Sequence, residues 1–338
     1  MAPTAATDQT VPTERPETPT RVTEHAVTVS APPAAVFALV ADVAGWPQLF
    51  GPTVHAEVVE ENVLTDGRSE QLLRIWATAN GRARTWTSRR TLDRAAGRIA
   101  FRQVVSAPPV EAMGGDWVIR QADGSGDTHV TLLHDYRAVD DAPEAVALIE
   151  SAVDHNSRAE LAALKAGAEQ GPQDDELCFT FSDSEHIDGS AQDVFDFLNR
   201  ADLWPERLPH VARLDLTEDE PGIQHMEMDT RSPDGSVHTT VSVRVVFPER
   251  RTIVYKQLRV PAAMAGHTGR WEIEPAADGK GVVATSWHTV TLDPDGVREL
   301  LGEDATLAQA RELVRKALGT NSSTTLRHAR RYAEESSS

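Results

Sequence analysis

Two short stretches of the chain carry residues whose types and spacing could do chemistry. Read as a β-strand, residues 84–90 place Trp86, Ser88 and Arg90 on one face. Residues 240–244 repeat the pattern, with Ser242 and Arg244 at the same spacing. A guanidinium group stays protonated, so each arginine is suited to hold an oxygen that gains negative charge, with the serine hydroxyl beside it. The sequence therefore predicts two polar sites that are built alike.

The rest of the chain repeats as well. Five landmarks recur with displacements between 154 and 165 residues: Val36-Phe37 with Val194-Phe195, Trp46-Pro47 with Trp204-Pro205, Arg90 with Arg244, Trp117 with Trp271, and Asn156 with Asn321. A displacement that drifts in this way is what insertions and deletions in loops produce. We predict one domain present twice, at residues 22–169 and 176–335, joined by a linker at 170–175.

The elements of each copy must position these side chains. Turn signals such as Asp66-Gly67 and Asn80-Gly81 divide the middle of the first copy into an antiparallel meander. Apolar residues after Pro143 recur at helical spacing: Val146, Ile149, Val153, Leu161 and Leu164. A second long helix is predicted from about Thr306 to Tyr332. A curved sheet around one helix leaves a cavity between them, so we predict an α+β fold with a cavity in each copy.

Composition and motifs exclude several classes of function. The 52 acidic and 33 basic side chains give a formal net charge of -19, which disfavours nucleic acid and anionic membranes as partners. The signature motifs of serine hydrolases, P-loop enzymes, Rossmann oxidoreductases and zincins are absent. The twelve histidines lack ligand spacing, and Cys178 reads as a small strand residue, so we expect no metal and no cofactor.

The first 21 residues are expected to form a disordered tail, because they are rich in proline, threonine, alanine and glutamate. They lack the basic start and apolar run of a signal peptide, and no stretch has the apolar length of a membrane span. We therefore expect a cytoplasmic protein.

Four stretches together resemble a known family: residues 44–50 (AGWPQLF), residues 86–90 (WTSRR), residues 114–117 (GGDW) and His155-Asn156. The chain resembles the two-domain polyketide aromatase/cyclases of the helix-grip superfamily, which is also called START or birch-pollen-allergen-like. The resemblance implies two tandem helix-grip domains, each a curved antiparallel sheet around one long C-terminal helix. It also implies dehydration and first-ring aromatisation of a ketoreduced poly-β-ketone that is tethered to an acyl carrier protein.

Ring closure and loss of water need enolate stabilisation, a proton donor and a base, without a redox cofactor. For the first copy we predict catalytic roles for Arg90, Ser88, His134 and Asn156. His134 lies on the more apolar face of its strand and could pass protons at neutral pH, the alternative being a half-buried histidine satisfied by a neighbour. Asn156 occupies a position where the resembled family keeps a pocket-facing polar residue, the alternative being a neutral helix residue. The expected walls of this pocket are Trp86, Trp117, Met113 and Tyr136.

The second copy keeps some of these residues and loses others. Its candidate substrate-binding residues are Arg244, Ser242, Trp271, Trp287 and Asn321. Thr240 stands where Trp86 was, and Trp287 is aligned with His134. We therefore expect the chemistry in the N-terminal copy, although three histidines could compensate in the second copy: His238, His267 and His288.

Seven arginines lie between Gly81 and Arg102 against the single acid Asp93. They predict a dock for an acidic acyl carrier protein, the alternative being a solvated face of hairpins. Other synthase subunits are further candidate partners. The alternative function is a non-catalytic hydrophobic-ligand or lipid carrier or sensor, because one fold class hosts several functions.

Overall fold

The computed structural model describes residues 20–79, 81–124, 126–170, 176–231 and 235–336. The predicted tail, apart from its last two residues, and the predicted linker, apart from Gln170, lie outside the described residues. In the described part of the chain, no helix is both long enough and apolar enough to cross a membrane.

The N-terminal half is one seven-stranded antiparallel sheet with a long helix. Its elements are β1 (Arg21–Val29), α1 (Pro33–Ala41), α2 (Trp46–Leu49), β2 (Thr53–Val63), β3 (Ser69–Ala79), β4 (Arg82–Asp93), β5 (Arg98–Gln103), β6 (Val110–Gln121), β7 (Thr128–Ala138) and α3 (Pro143–Ala168). The strand order β1-β7-β6-β5-β4-β3-β2 is the predicted meander, closed by pairing of the first strand with the last. Ile149, Val153, Leu161 and Leu164 of α3 are buried, as their helical spacing predicts.

The C-terminal half repeats this order. Its elements are β8 (Cys178–Ile187), α4 (Ala191–Asn199), α5 (Trp204–Arg207), β9 (Val211–Glu220), β10 (Ile223–Arg231), β11 (Val237–Phe247), β12 (Thr252–Arg259), β13 (Met264–Pro275), β14 (Val282–Leu292), α6 (Pro294–Leu301) and α7 (Leu307–Ser336). The strand order is β8-β14-β13-β12-β11-β10-β9. The predicted α+β fold of two similar halves is confirmed.

Strand register decides which residues of the two halves correspond. Trp117 pairs with Leu132 in the first half, and Trp271 pairs with Ser286 in the second. The displacement is 154 on both strands, so the counterpart of His134 is His288. The alignment of Trp287 with His134 is therefore wrong by one residue, which in a strand means the opposite face of the sheet.

The two halves pack against each other through β11. The inward face of this strand carries Ser242 and Arg244, whereas Val243, Val245 and Phe247 point the other way and form an apolar cluster with Val54 and Trp76 of the first half. The rings of Trp76 and Phe247 meet edge to face, with centroids 5.2 Å apart. One strand thus lines the interior of its own half and covers the surface of the other.

A lysine on β12 joins the halves by polar contacts. Lys256 Nζ lies 2.8, 3.0, 2.7 and 3.1 Å from the carbonyl oxygens of Pro47, Phe50, Gly51 and Thr53. Its burial lowers the pKa of Lys256 to about 8. The turn after α2 is therefore held by a cation that belongs to the other half.

Candidate functional site

A cavity lies between the C-terminal sheet and α7. Its empty volume is about 750 Å³, part of it open to solvent. Its lining includes His210, His238, Thr240, Ser242, Arg244, Tyr255, Gln257, His267, Trp271, His288, Leu318, Asn321, Ser322 and Thr325. Four residues that the sequence predicted for this half are therefore brought together: Ser242, Arg244, Trp271 and Asn321.

Arg244 reaches the cavity with part of its guanidinium group unpaired. The side chain is 1 % exposed, its Nη2 donates to the carbonyl oxygen of Leu198 at 2.6 Å, and its guanidinium lies 5.3 Å from the centre of the Trp204 ring. Its Nη1 has no hydrogen-bond partner among the described residues. Burial lowers the pKa of Arg244 to about 10, so the group is still charged at neutral pH. Arg244 can therefore offer a charged N–H to a bound oxygen.

Further polar atoms of the lining are buried without a partner in the described chain. They are Ser242 Oγ, Gln257 Oε1, His267 Nδ1 and His210 Nδ1. Each buried polar group left unpaired costs about 1–3 kcal/mol. Several such atoms around one cavity indicate that it is shaped for a ligand with its own donors and acceptors.

Three titratable side chains meet at the same wall. The Tyr255 hydroxyl lies 3.1 Å from His288 Nδ1 and 3.5 Å from His267 Nε2, and those two nitrogens are 3.0 Å apart. Ser286 Oγ lies 3.1 Å from His288 Nε2, and the Phe181 ring stacks on the His288 ring at 4.7 Å. The cluster is thus packed and connected on several sides.

Burial sets the protonation of this cluster. It lowers the pKa of His267 to about 3, helped by the neighbouring His288, and lowers the pKa of His288 to about 4. It raises the pKa of Tyr255 well above its ordinary value. At neutral pH both imidazoles are therefore neutral and the phenol keeps its proton. The sequence signal for Tyr255 is weak, since a single tyrosine in an apolar strand is usually a core residue.

The corresponding arginine and serine of the N-terminal half have protein partners. Arg90 donates from Nε to Gln71 Oε1 at 2.8 Å, from Nη1 to the Val40 carbonyl at 3.0 Å and from Nη2 to the Ala41 carbonyl at 2.6 Å. The Ser88 hydroxyl donates to the Arg102 carbonyl at 3.1 Å. These contacts tie β4 to the end of α1, so the pair supports the fold in this half.

The other predicted residues of this half lie in or near its interior. His134 Nδ1 is 3.3 Å from Ser157 Oγ, and burial lowers the pKa of His134 to about 4. The remaining predicted walls are in apolar clusters: Trp117 is stacked with Phe50, Tyr136 is packed with Ile149 and Met113, and Trp86 lies beside Leu73 and Ile75.

Two predicted site residues are placed differently from expectation. Asn156 is exposed, and the polar residue that α3 buries is its neighbour Ser157. Trp287 lies on the face of β14 opposite to Ser286 and His288, where the Arg270 guanidinium sits 4.7 Å from its ring. Strand alternation places Trp287 outside the cavity, so its substrate-binding role is not supported.

One carboxyl group on α3 was missed by sequence reasoning. Glu160 is half-buried, and burial raises the pKa of this carboxyl to about 7. A glutamate within a polar helical segment gives no sequence signal of such a shift.

The arginine-rich segment does not present a continuous basic surface. Arg98 pairs with Asp116 at 2.7 Å, Arg102 pairs with Asp135 at 2.8 Å, and Arg84 pairs with Glu220 of the other half. Arg90 is buried. Most of the segment's charge is therefore used within the molecule.

Comparison with known proteins agrees with this architecture. The model of the family described as polyketide cyclase/dehydrase and lipid transport matches residues 20–169 and again residues 179–334. The chain belongs to this family. Each of the two matches covers one sheet with its long helix, so the family's unit is present twice.

Two known proteins resemble the chain over most of its length. It is 48 % identical over 314 residues to the granaticin polyketide synthase bifunctional cyclase/dehydratase of Streptomyces violaceoruber, covering 92 % of this chain and 94 % of that protein. It is 45 % identical over 315 residues to the actinorhodin polyketide synthase bifunctional cyclase/dehydratase of Streptomyces coelicolor, covering 90 % and 94 %.

Two solved structures share the arrangement of both halves. The di-domain ARO/CYC BexL from the BE-7585A biosynthetic pathway is 50 % identical, with a TM-score of 0.83, over 93 % of this chain and 99 % of that chain. The di-domain ARO/CYC StfQ from the steffimycin pathway is 36 % identical, with a TM-score of 0.80 and the same coverage.

Proposed function

We propose that the chain is an aromatase/cyclase of type II polyketide biosynthesis, which dehydrates and aromatises the first ring of a ketoreduced poly-β-ketone. The names of relatives that are 45–48 % identical support the class of reaction. The observation that carries the proposal is the pair of unpartnered, buried groups in the C-terminal cavity, Arg244 Nη1 and Ser242 Oγ. Together they form a site for an oxygen that becomes negative during enolisation.

The cavity offers the contacts that such a substrate needs. Arg244 and Ser242 donate to a carbonyl or enolate oxygen of the polyketide, while Gln257 Oε1 accepts from one of its hydroxyl groups. Trp204 and Trp271 line the same space and provide flat apolar walls for a forming ring. Binding in this cavity holds the polyketide in the bent conformation that ring closure requires.

This proposal places the chemistry in the C-terminal half, whereas the sequence favoured the N-terminal half. The physical reason is the difference between Arg90 and Arg244, because Arg90 donates three hydrogen bonds to protein acceptors. We infer that the two halves are domains with bounds near 22–169 and 176–335, the first of them bracing the second through β11 and Lys256.

The form of the substrate and the setting belong to the proposal too. We infer that the polyketide substrate arrives on an acyl carrier protein in the cytoplasm, with other synthase subunits as further partners. The pairing of Arg84, Arg98 and Arg102 with carboxylates argues against the arginine-rich segment as the dock. A lipid carrier would favour a nearly uniform apolar lining, so the unpartnered polar atoms favour an enzyme over a carrier.

The test is reconstitution with a minimal polyketide synthase and a ketoreductase, comparing wild type with Arg244→Met and Arg90→Met. Loss of one oxyanion donor typically costs about 10²–10³ in rate, so Arg244→Met should lose the aromatised product while it stays folded. Arg90→Met should instead unfold at a lower temperature, because it leaves two buried carbonyl groups and Gln71 without their donor.

A folded Arg244→Met variant with the wild-type product profile would show that the cavity assignment is wrong. If wild type itself changes no product, and a lipid stays bound through purification, the carrier function replaces the enzyme.

A further inference from the structure

We propose that Tyr255, His267 and His288 form a proton relay that completes the loss of water in the C-terminal cavity. The relay rests on the proposed function and assigns its acid and its base. The Tyr255 hydroxyl donates its proton to the departing hydroxyl group, and His267 Nδ1 takes the proton from the adjacent carbon.

The hydrogen-bond network accommodates the tautomer that this role needs. His267 Nε2 and His288 Nδ1 are 3.0 Å apart, while His267 Nδ1 has no partner in the part of the chain that is described. If Nε2 carries the hydrogen and donates it to His288 Nδ1, the lone pair of His267 Nδ1 faces the cavity. His288 Nε2 then donates to Ser286 Oγ at 3.1 Å, which holds the second ring in place.

The charges around the cluster suit an acid and a base that are both neutral at rest. Burial keeps the two imidazoles unprotonated and the phenol protonated at neutral pH. The positive charge of Arg244 acts on Tyr255 in the opposite sense to burial, because it favours the phenolate. Arg244 therefore lowers the cost of the phenolate that forms when Tyr255 gives up its proton.

The elimination balances without an added reactant. The C–H bond next to the carbonyl breaks, its proton goes to His267 Nδ1, and its electron pair forms the new C=C bond. The C–O bond breaks, and the leaving oxygen takes the Tyr255 proton and departs as water. The proton on His267 Nε2 then returns to the Tyr255 oxygen, directly over 3.5 Å or through His288 Nδ1, which restores the phenol and leaves His267 neutral with its hydrogen on Nδ1. Once the product has left, exchange of the Nδ1 proton with water and reprotonation of Nε2 restore the resting tautomer of His267.

The N-terminal half lacks this relay. With the displacement of 154, the counterparts of Tyr255 and His267 are Phe101 and Met113, and only His288 keeps its type, as His134. An edge-to-face contact between Phe101 and His134, with centroids 5.5 Å apart, replaces the phenol–imidazole hydrogen bond. The acid and the unpartnered lone pair of the base thus occur together in one half of the described molecule.

The experiment compares Tyr255→Phe with Tyr332→Phe in the reconstituted system. Both substitutions remove one phenolic hydroxyl, but Tyr332 packs on Phe197 and is not part of the cavity lining. General acid catalysis is worth about 10²–10⁴-fold, so we expect Tyr255→Phe to dehydrate at least about 10²-fold more slowly and to accumulate the cyclised hydroxy-ketone. Tyr332→Phe should give the wild-type products at the wild-type rate.

Deuterium exchange separates a proton donor from a merely positioning residue. In D₂O we expect Tyr255→Phe to incorporate deuterium next to the carbonyl of the accumulated hydroxy-ketone, because His267 still removes that proton. His267→Gln should lose both exchange and water release. The affinity for 1,3-dihydroxynaphthalene, measured by quenching of tryptophan fluorescence, should be the same in Tyr255→Phe as in wild type.

The relay is overturned if Tyr255→Phe dehydrates at the wild-type rate, or if it binds the probe normally but loses exchange together with water release. If wild type forms no dehydrated product, the proposed function fails and the relay fails with it. A wild-type enzyme that is active beside an equally active Tyr255→Phe variant overturns the relay alone.

Discussion

At the scale of single residues, the two serines of the repeated pattern differ in their hydrogen-bond partners. Ser88 donates to the Arg102 carbonyl at 3.1 Å, whereas Ser242 has no partner among the described residues. We expect Ser88→Ala to lower the free energy of unfolding by about 1 kcal/mol, since it removes a hydrogen bond. Ser242→Ala should change stability less, yet should reduce the aromatised product about tenfold.

Urea unfolding of both variants, followed by reconstitution, measures the two effects separately. Equal losses of stability in the two variants, with no difference in product, would contradict the assignment of Ser242 to the ligand site.

At the scale of elements, alternation along a strand was the reliable guide. It correctly placed Ser242 and Arg244 on one buried face, because side-chain direction is a local property of the strand. It failed for Trp287, since a one-residue error in aligning the two halves exchanges the faces, and only hydrogen-bonded register removes that error. Whether an arginine finds partners was beyond the sequence, because Val40 and Ala41 reach Arg90 from a separate helix.

Strand β12 shows what such a strand can couple, because adjacent residues serve different halves. Tyr255 faces the cavity, and Lys256 meets four carbonyl oxygens of the other half. Burial of the ammonium group costs desolvation free energy, which the substitution to methionine would recover. The substitution would also leave several carbonyl groups without their hydrogen-bond donor, and we expect this loss to be larger than the recovered desolvation. Lys256→Met should therefore lower the free energy of unfolding by about 1–3 kcal/mol.

The exposed Lys280 provides the matched control, since Lys280→Met removes the same charge from a surface turn. A surface change of this kind is typically worth less than about 0.5 kcal/mol. Thermal and urea unfolding compare the two variants. Equal stability of Lys256→Met and Lys280→Met would mean that water replaces the ammonium between the halves.

At the scale of the whole molecule, surface charge and buried histidines respond to acid in opposite ways. The formal charge of -19 at neutral pH makes the surface repel itself, and acid relieves that repulsion. Among the described residues, burial lowers the pKa of seven histidines, and most strongly of four: to about 3 for His267 and to about 4 for His134, His210 and His288. Acid therefore drives protons onto side chains that the fold keeps neutral.

The histidines should dominate this competition. An unfolded histidine titrates near pH 6.5, and each unit of difference in pKa is worth about 1.4 kcal/mol. The buried His267 and His288 can each lower the free energy of unfolding by up to about 2 kcal/mol as the pH falls from 6.5 to about 5. Exposed charges are screened beyond about 8 Å at 0.15 M salt, so relief of surface repulsion is the smaller effect.

The free energy of unfolding should therefore be greatest above pH 6.5 and should fall as the pH approaches 4, because the unfolded chain binds protons before the folded chain does. Urea unfolding at pH values of about 7.0, 6.5, 6.0 and 5.5, in about 0.15 M salt, measures how the free energy of unfolding changes with pH. In a His267→Gln, His288→Gln double variant, the number of protons taken up on unfolding should fall by up to two, so its stability should depend less on pH. If the pH dependence came from surface charge alone, the double variant would have the same slope as wild type. Constant or increasing stability of wild type on going from neutral to mildly acid pH would mean that surface charge outweighs the buried imidazoles.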